Sequence, residues 1–161
     1  MANVNVAFGL KPINNAGSTP ATGGTNAYLI ASNASAIYQG SAVKAVNGGS
    51  IAIGSASGDT VAFLGVFAGC EYVSSTTGKK VFSNYWPGSG ADTDFDIIGH
   101  VYDNPLQRFV VCTDATFTNQ ATAEAAIFEN SQFNSGAGGS TTTGISNAQL
   151  DVATLDSSNA S

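Results

Sequence analysis

The chain is divided into short apolar segments by glycine, asparagine, serine and threonine, and this division restricts its fold more than any other feature. The longest strongly apolar stretch, Val61–Cys70, has ten residues, whereas a membrane-spanning helix needs about 20. Asn47-Gly48-Gly49 separates two β-branched segments as a hairpin turn does. The pattern predicts one all-β domain, a compact β-sandwich or β-barrel-like structure.

The strand candidates are β-branched or aromatic segments bounded by turn residues. The longest is interrupted by Gly65 and Gly69, which we expect to mark β-bulges. Ile145–Leu155 is expected to form one last strand. The longest candidate is Thr60–Val73. The remaining expected strands are Ala27–Ala31, Ala36–Tyr38, Ala42–Val46, Ile51–Ile53, Lys80–Phe82, Phe95–Tyr102 and Gln107–Thr113.

One short helix is expected at about residues 120–130. Alanine recurs in this segment and favours helix formation. Thr118 or Asn119 stands where a helix N-cap is needed. The helix is therefore the exception in a β-rich domain that spans residues 26–155, followed by a polar tail at residues 156–161.

Residues 1–25 are expected to form an extended N-terminal arm outside the compact core. Pro12 and Pro20 stand among small polar residues, and prolines limit sheet pairing to the part before Pro12. Such a segment is expected to be mobile alone, because its few apolar side chains cannot offset the entropy of ordering. Its alternating apolar residues are candidates for contact with a partner: Val6, Phe8, Leu10 and Pro12.

Charge is scarce, and this excludes several classes of partner. Charged residues make up 10% of the chain, with five Lys+Arg against eleven Asp+Glu and a net charge of −6. The only adjacent basic pair is Lys79-Lys80, so we expect neither nucleic-acid binding nor attraction to an anionic membrane. The N-terminus lacks the basic and apolar regions of a secretory signal, which favours synthesis and retention in the cytoplasm.

The sequence contains no recognisable constellation of catalytic residues. His100 is the only histidine and lies in an apolar strand candidate. In Gly54–Gly58, the nucleophile position of a Gly-x-Ser-x-Gly elbow holds Ala56. Nucleotide-binding glycine motifs are also missing. We therefore expect a binding or structural protein that has no enzymatic activity and no cofactor.

Metal binding and disulfide formation have weak support. Asp92, Asp94 and Asp96 alternate as calcium ligands do, but no glutamate follows at the bidentate position, so a solvated acidic loop is expected. Cys70 and Cys112 lie in apolar segments, where buried free thiols are common. A disulfide between them stays open, because it requires neighbouring strands.

Four stretches of the sequence resemble a family of small proteins encoded by tailed phages, many of them marine or cyanobacterial. Gly78–Pro87, which ends in Tyr-Trp-Pro, is the most specific of the four. The others are Met1–Pro12, Gly65–Tyr72 and Thr141–Asp151. The resemblance covers nearly the whole chain. Family members tend to continue with another apolar strand where this chain stops at Ser161, which leaves the closure of the last sheet open.

The resemblance implies a head decoration, or cement, protein. Such a protein lies on the outer capsid surface of the virion and is assembled in the host cytoplasm. Its implied partners are a major capsid protein of the HK97-like fold and neighbouring copies of itself, with a trimer favoured and a dimer second. If the arm is not the contact, the next candidates are Tyr85, Trp86 and Pro87.

A second interpretation is another virion part, such as a fibre or an adhesin domain that binds a host glycan. A fibre favours sequence repeats and a long rod, and the sequence shows no repeat. Abundance separates the two interpretations, since a cement protein approaches the copy number of the shell protein and a fibre is far scarcer.

Overall fold

The computed structural model describes residues 6–16, 24–54, 63–134 and 138–155, and within these ranges the fold is all-β, as expected. None of the described helices is long and apolar enough to cross a membrane. The elements are β1 (Lys11–Asn15), β2 (Asn26–Ile30), β3 (Ala42–Val46), β4 (Ser50–Ile53), β5 (Phe63–Val73), β6 (Lys80–Ser83), β7 (Ile97–Tyr102), β8 (Gln107–Val110), α1 (Gln120–Ala125), β9 (Phe133–Asn134), β10 (Gln149–Leu150) and a 3₁₀ helix (Val152–Thr154).

Five strands close into a barrel. The main sheet has the order β3-β4-β2-β7-β5-β6, and β3 also pairs with β5, which closes the ring. β2 and β4 run parallel, whereas the other pairs in this sheet are antiparallel. β5 has eleven residues and pairs along one edge with β7. Its other edge is shared by β3 and then β6, so β6 extends the sheet beyond the barrel.

The expected bulges lie beside the two glycines of β5. Phe67 and Gly69 pair with consecutive residues of β7, which leaves Ala68 as the extra residue. In the pairing with β3, the extra residue is Leu64, next to Gly65. A Cβ atom at Gly65 would collide with the backbone of β7. The glycine therefore permits close approach of two strands where the barrel bends.

The β3–β4 hairpin forms at the predicted turn. Gly48 and Gly49 have φ values of 94° and 78°, which glycine adopts without the steric cost of a side chain. The pairing Val46↔Ser50 follows directly from this turn. The register places Val43 and Ile51 inside the barrel, where both are fully buried.

The largest buried side chains fill the barrel and its end. They come from strands that are distant in sequence, so burial of each stabilises the closed ring by about 1.5–3 kcal/mol. The principal buried cluster consists of Ile30, Ile37, Val43, Ile51, Phe67, Cys70, Trp86, Ile97 and Val101.

The expectation of a separate N-terminal arm is wrong for residues 6–16. The backbone N–H of Leu10 donates to the carbonyl of Gly40 at 2.9 Å. The Leu10 side chain is buried with Val66 and Ala148 in a second cluster. The strand β1 that follows pairs with β8. The segment stays on the domain because Gly40 and β8 supply backbone partners and because Val66 and Ala148 pack against Leu10. Residues 1–5 and 17–23 of the predicted arm lie outside the described residues.

Other expected elements differ in extent. The Ala36–Tyr38 segment forms a single bridge, from Ile37 to Trp86, rather than a strand. Ile145–Leu155 is divided into bridges, the short β10 and the 3₁₀ helix, because its backbone groups have partners in several separate segments. The helix occurs as α1, with Asn119 as its N-cap. The predicted polar tail at 156–161 lies outside the described residues.

Candidate contact surface

Trp86, one of the expected capsid contacts, is a core residue. Its side chain has an exposed fraction of 0%, and its indole N–H donates to the carbonyl of Ala34 at 3.1 Å. The ring meets Tyr72 edge to face, with centroids 5.3 Å apart. Backbone hydrogen bonds of 2.9 and 2.8 Å join it to Ile37. Trp86 therefore has no surface to offer, and its assignment as a contact is wrong.

Tyr85 and Pro87 lie on either side of this tryptophan and are only half-buried. The Tyr85 ring stacks on Tyr38, with centroids 5.6 Å apart and planes 4° apart. The Tyr85 carbonyl accepts hydrogen bonds from the Ser83 hydroxyl at 2.7 Å and the Cys70 thiol at 3.3 Å. Most of the Tyr-Trp-Pro block thus attaches β6 to the barrel, and little of it is available to a partner.

The two cysteines are both free thiols, which answers the open question of a disulfide. Cys70 is buried in the barrel, and burial raises its thiol pKa to about 12. Such a thiol stays protonated at neutral pH and is a poor nucleophile. Cys112 is half-buried, and its thiol lies 3.8 Å from the carbonyl of Val6. Cys70 lies on β5, whereas Cys112 follows the end of β8 and belongs to no strand.

The outer face of the β1–β8 sheet is apolar and basic. Lys11 pairs with Val110, and strand alternation places Ile13 and Arg108 on the same side. Ile13 is 52% exposed and Val110 is 45% exposed. Lys11 and Arg108 are two of the five basic residues in the chain. We call these four residues the outer face.

A groove lies beside the outer face, along the N-terminal segment. It has a volume of about 320 Å³ and is lined mainly by apolar groups, among them Phe8, Pro12 and Ile145. Leu10 also lines the groove, and burial of its side chain holds the segment on the barrel. A cavity of about 380 Å³ continues from Phe8 and Ile145 towards Val6. Of the expected arm contacts, Val6, Phe8 and Pro12 thus keep surface for a partner.

The sequence holds no clear signal for the outer face. Burial alternates along Gln107–Val110 and along Lys11–Asn15 as far as Asn14, but the residue types of these two segments do not alternate between polar and apolar. The pairing of the two segments could not be derived from either one alone. The expected contact set therefore lacked Ile13, Arg108 and Val110.

Acidic and histidine side chains form no evident reaction centre in the described part of the chain. No group of three or more His, Cys, Asp or Glu residues there could hold a metal ion. Asp92 instead accepts a hydrogen bond from the backbone N–H of Asp94 at 3.1 Å. His100 lies on β7 beside a cavity that also contacts Phe82 and Ser83.

A hydrogen-bond network at the start of β2 lowers the pKa of Asp103. The Asn26 amide donates to both carboxylate oxygens at 3.0 and 2.9 Å, and the Tyr28 hydroxyl donates at 2.5 Å. These bonds stabilise the ionised carboxylate, so its pKa falls below the ordinary value of 3.8. The same contact raises the pKa of Tyr28 above 10.0.

Protonation of Asp103 at low pH is therefore expected to account for part of the acid-induced decrease in the free energy of unfolding. A lowered folded-state pKa means that the stabilisation is present above the unfolded-state pKa of about 4 and is lost as the pH falls through the folded value. Urea unfolding at pH 7 and pH 3 should show a smaller loss of stability for Asp103→Asn than for the unmodified chain. Equal losses in the two proteins would contradict the assignment.

Comparisons with family models, with curated proteins and with solved structures give no match.

Proposed function

We propose that the protein is a capsid decoration, or cement, protein that binds the outer surface of an icosahedral phage head and stabilises neighbouring shell subunits. The observation that carries the proposal is the outer face. It combines the exposed apolar residues Ile13 and Val110 with two cations, Lys11 and Arg108, in a chain of net charge −6. Its proposed partner is a major capsid protein of the HK97-like fold.

The docked N-terminal segment supports this role because it makes the contact surface rigid. Leu10 fixes the segment on the barrel, and β8 pairs with β1 along its length. A preformed surface binds without the entropy cost of ordering a mobile arm. The clamp in this proposal is therefore a structured face of the domain, in place of the mobile arm expected from the sequence.

A low content of charged residues suits attachment in many copies. Only 10% of the residues are charged, so few charged side chains lose their hydration where copies pack together on one shell. A shared scaffold holds its ligands at high effective concentration, so weak individual contacts suffice. We place the protein on the outer capsid surface, assembled in the host cytoplasm, where it also meets neighbouring copies of itself.

Capsid binding by a variant of the outer face tests the proposal. Ile13→Asp combined with Val110→Asp places charge on the apolar centre of the face and is expected to reduce occupancy on expanded heads at least tenfold, on the order of a hot-spot loss. Phe82→Asp is the matched control, because Phe82 is 73% exposed and lies on β6, away from the face. Occupancy is measured by densitometry of sedimented heads.

The result is interpretable only if both variants fold, so each is first checked by thermal melting. Unchanged occupancy of the double variant would contradict the outer face as the clamp. Copy number tests the broader role, since quantitative mass spectrometry of purified particles should find the protein at nearly the abundance of the shell protein. A few copies per particle, together with glycan binding, would overturn the proposal in favour of a fibre or adhesin.

A further inference from the structure

A projecting segment at residues 119–129, here called the finger, exposes large apolar side chains. It consists of α1 with its N-cap and the turn that follows. No residue of α1 is buried. In the turn, Ile127 is 57% exposed and Phe128 is 93% exposed, the highest value among the exposed large hydrophobic residues described.

The finger has an unusual backbone conformation at its exposed Phe128. Phe128 has a φ of 72°, and it is the only residue other than glycine with positive φ in the described chain. Bulky L-residues rarely adopt this conformation. The helix before it is held by its own cap, in which Asn119 accepts from the backbone N–H of Thr122 at 2.9 Å and Thr122 reaches back to Asn119. The helix of the finger thus has a complete N-terminal cap of its own.

The groove is a suitable receptor for one aromatic side chain. Its volume of about 320 Å³ is at the lower end of ligand pockets. The lining offers the rings of Phe8 and Tyr102 and the side chains of Pro12 and Ile145. Phe128 does not occupy the groove of its own copy, because nearly all of its surface is exposed.

Charge complementarity identifies the occupant as a second copy of this chain. Glu124 and Glu129 flank the apolar tip of the finger. Lys11 stands at the groove, with its ammonium group 4.7 Å from the centre of the Phe8 ring, and among described residues no carboxylate pairs with it. A finger that enters the groove would bring two carboxylates towards a cation that has no carboxylate partner in the described part of the chain.

We infer that the protein associates head to tail, with Phe128 of one copy inserted in the groove of the next and the finger glutamates facing Lys11. The two surfaces are different, so each copy both donates a finger and receives one. Such a contact closes into a ring or continues as a chain. The inference does not rest on the proposed capsid role, and its test uses no capsid.

Sedimentation velocity of the full chain tests the inference, with concentrations up to about 1 mM, the effective concentration reached on a shared scaffold. Phe128→Gly removes the ring and accepts the positive φ, so the monomer is expected to keep its melting temperature. Self-association should weaken about 30-fold or more, as for an aromatic hot spot. The matched control Phe82→Ala should associate like the unmodified chain.

Mixing two deficient variants distinguishes a head-to-tail contact from a symmetric one. Phe128→Gly keeps a working groove, whereas Phe8→Asp combined with Lys11→Glu keeps a working finger. Each is expected to be monomeric alone, and the mixture should form a one-to-one complex that does not grow further. A monomeric unmodified chain at every concentration, undiminished association of Phe128→Gly, or a mixture that stays monomeric would each overturn the inference.

Discussion

Replacement of Trp86 by alanine is expected to destabilise the protein by about 3–5 kcal/mol, the cost of removing a large buried aromatic side chain. Trp86 has an exposed fraction of 0% and packs edge to face on Tyr72. Its removal leaves a cavity at the end of the barrel and deprives the Ala34 carbonyl of its indole donor. A loss of this size is a large share of the 5–15 kcal/mol that stabilises a typical domain.

Urea denaturation at pH 7, followed by fluorescence of the tyrosines and circular dichroism, measures this loss. The control is Phe82→Ala, since Phe82 is 73% exposed and should change the stability by no more than about 0.5 kcal/mol. Trp86→Phe separates packing from hydrogen bonding, because it keeps a ring and removes the N–H. A Trp86→Ala protein that is as stable as the control would show that the tryptophan is not a core residue.

The parts of the fold that sequence predicts well are those determined by neighbouring residues. The Asn47-Gly48-Gly49 turn sets the β3–β4 register, because the two glycines accept positive φ. The predicted strand Thr60–Val73 includes the whole of β5, with bulges beside Gly65 and Gly69. In each case, the residue types that determine the structure lie within the element itself.

The closure of the barrel could not be predicted, because it depends on pairs that are distant in sequence. Leu29 pairs with Ser50 in the parallel β2–β4 ladder, and Val43 pairs with Gly65 to close the ring. Strand alternation is the same in a sandwich and in a barrel, so it cannot choose between them. The burial of Trp86 also depends on distant pairing, because its backbone hydrogen-bond partner Ile37 lies far away in the sequence.

Sheet pairing in the N-terminal segment extends past Pro12, contrary to the prediction. Pro12 was expected to end sheet pairing, yet it lies within β1 and pairs with Phe109. Proline is tolerated where a strand has a free edge, and the β1–β8 sheet has only two strands. The apolar residues of the segment were expected to contact a partner, whereas the Leu10 side chain packs against Val66 and Ala148 of the same chain.

Replacement of Leu10 by alanine is expected to release the N-terminal segment from the barrel. Leu10 is 7% exposed and packs with Val66 and Ala148 in the smaller of the two buried clusters. The loss should be about 2–3 kcal/mol, at the lower end for a buried leucine, because a cluster near the surface can partly collapse into the space. Hydrogen exchange should then show early loss of protection in β1 and β8, while β5 and β7 stay protected.

Ile13→Ala is the matched control, because Ile13 lies on the same segment and is 52% exposed. It should leave the stability within about 0.5 kcal/mol and the exchange pattern unchanged. If the proposed capsid role is correct, Leu10→Ala should also lower occupancy on heads, since the outer face would then have to be ordered during binding. Retained protection of β1 in the Leu10→Ala protein would contradict the proposed role of Leu10 in holding the segment on the barrel. The β1–β8 hydrogen bonds alone would then hold the segment.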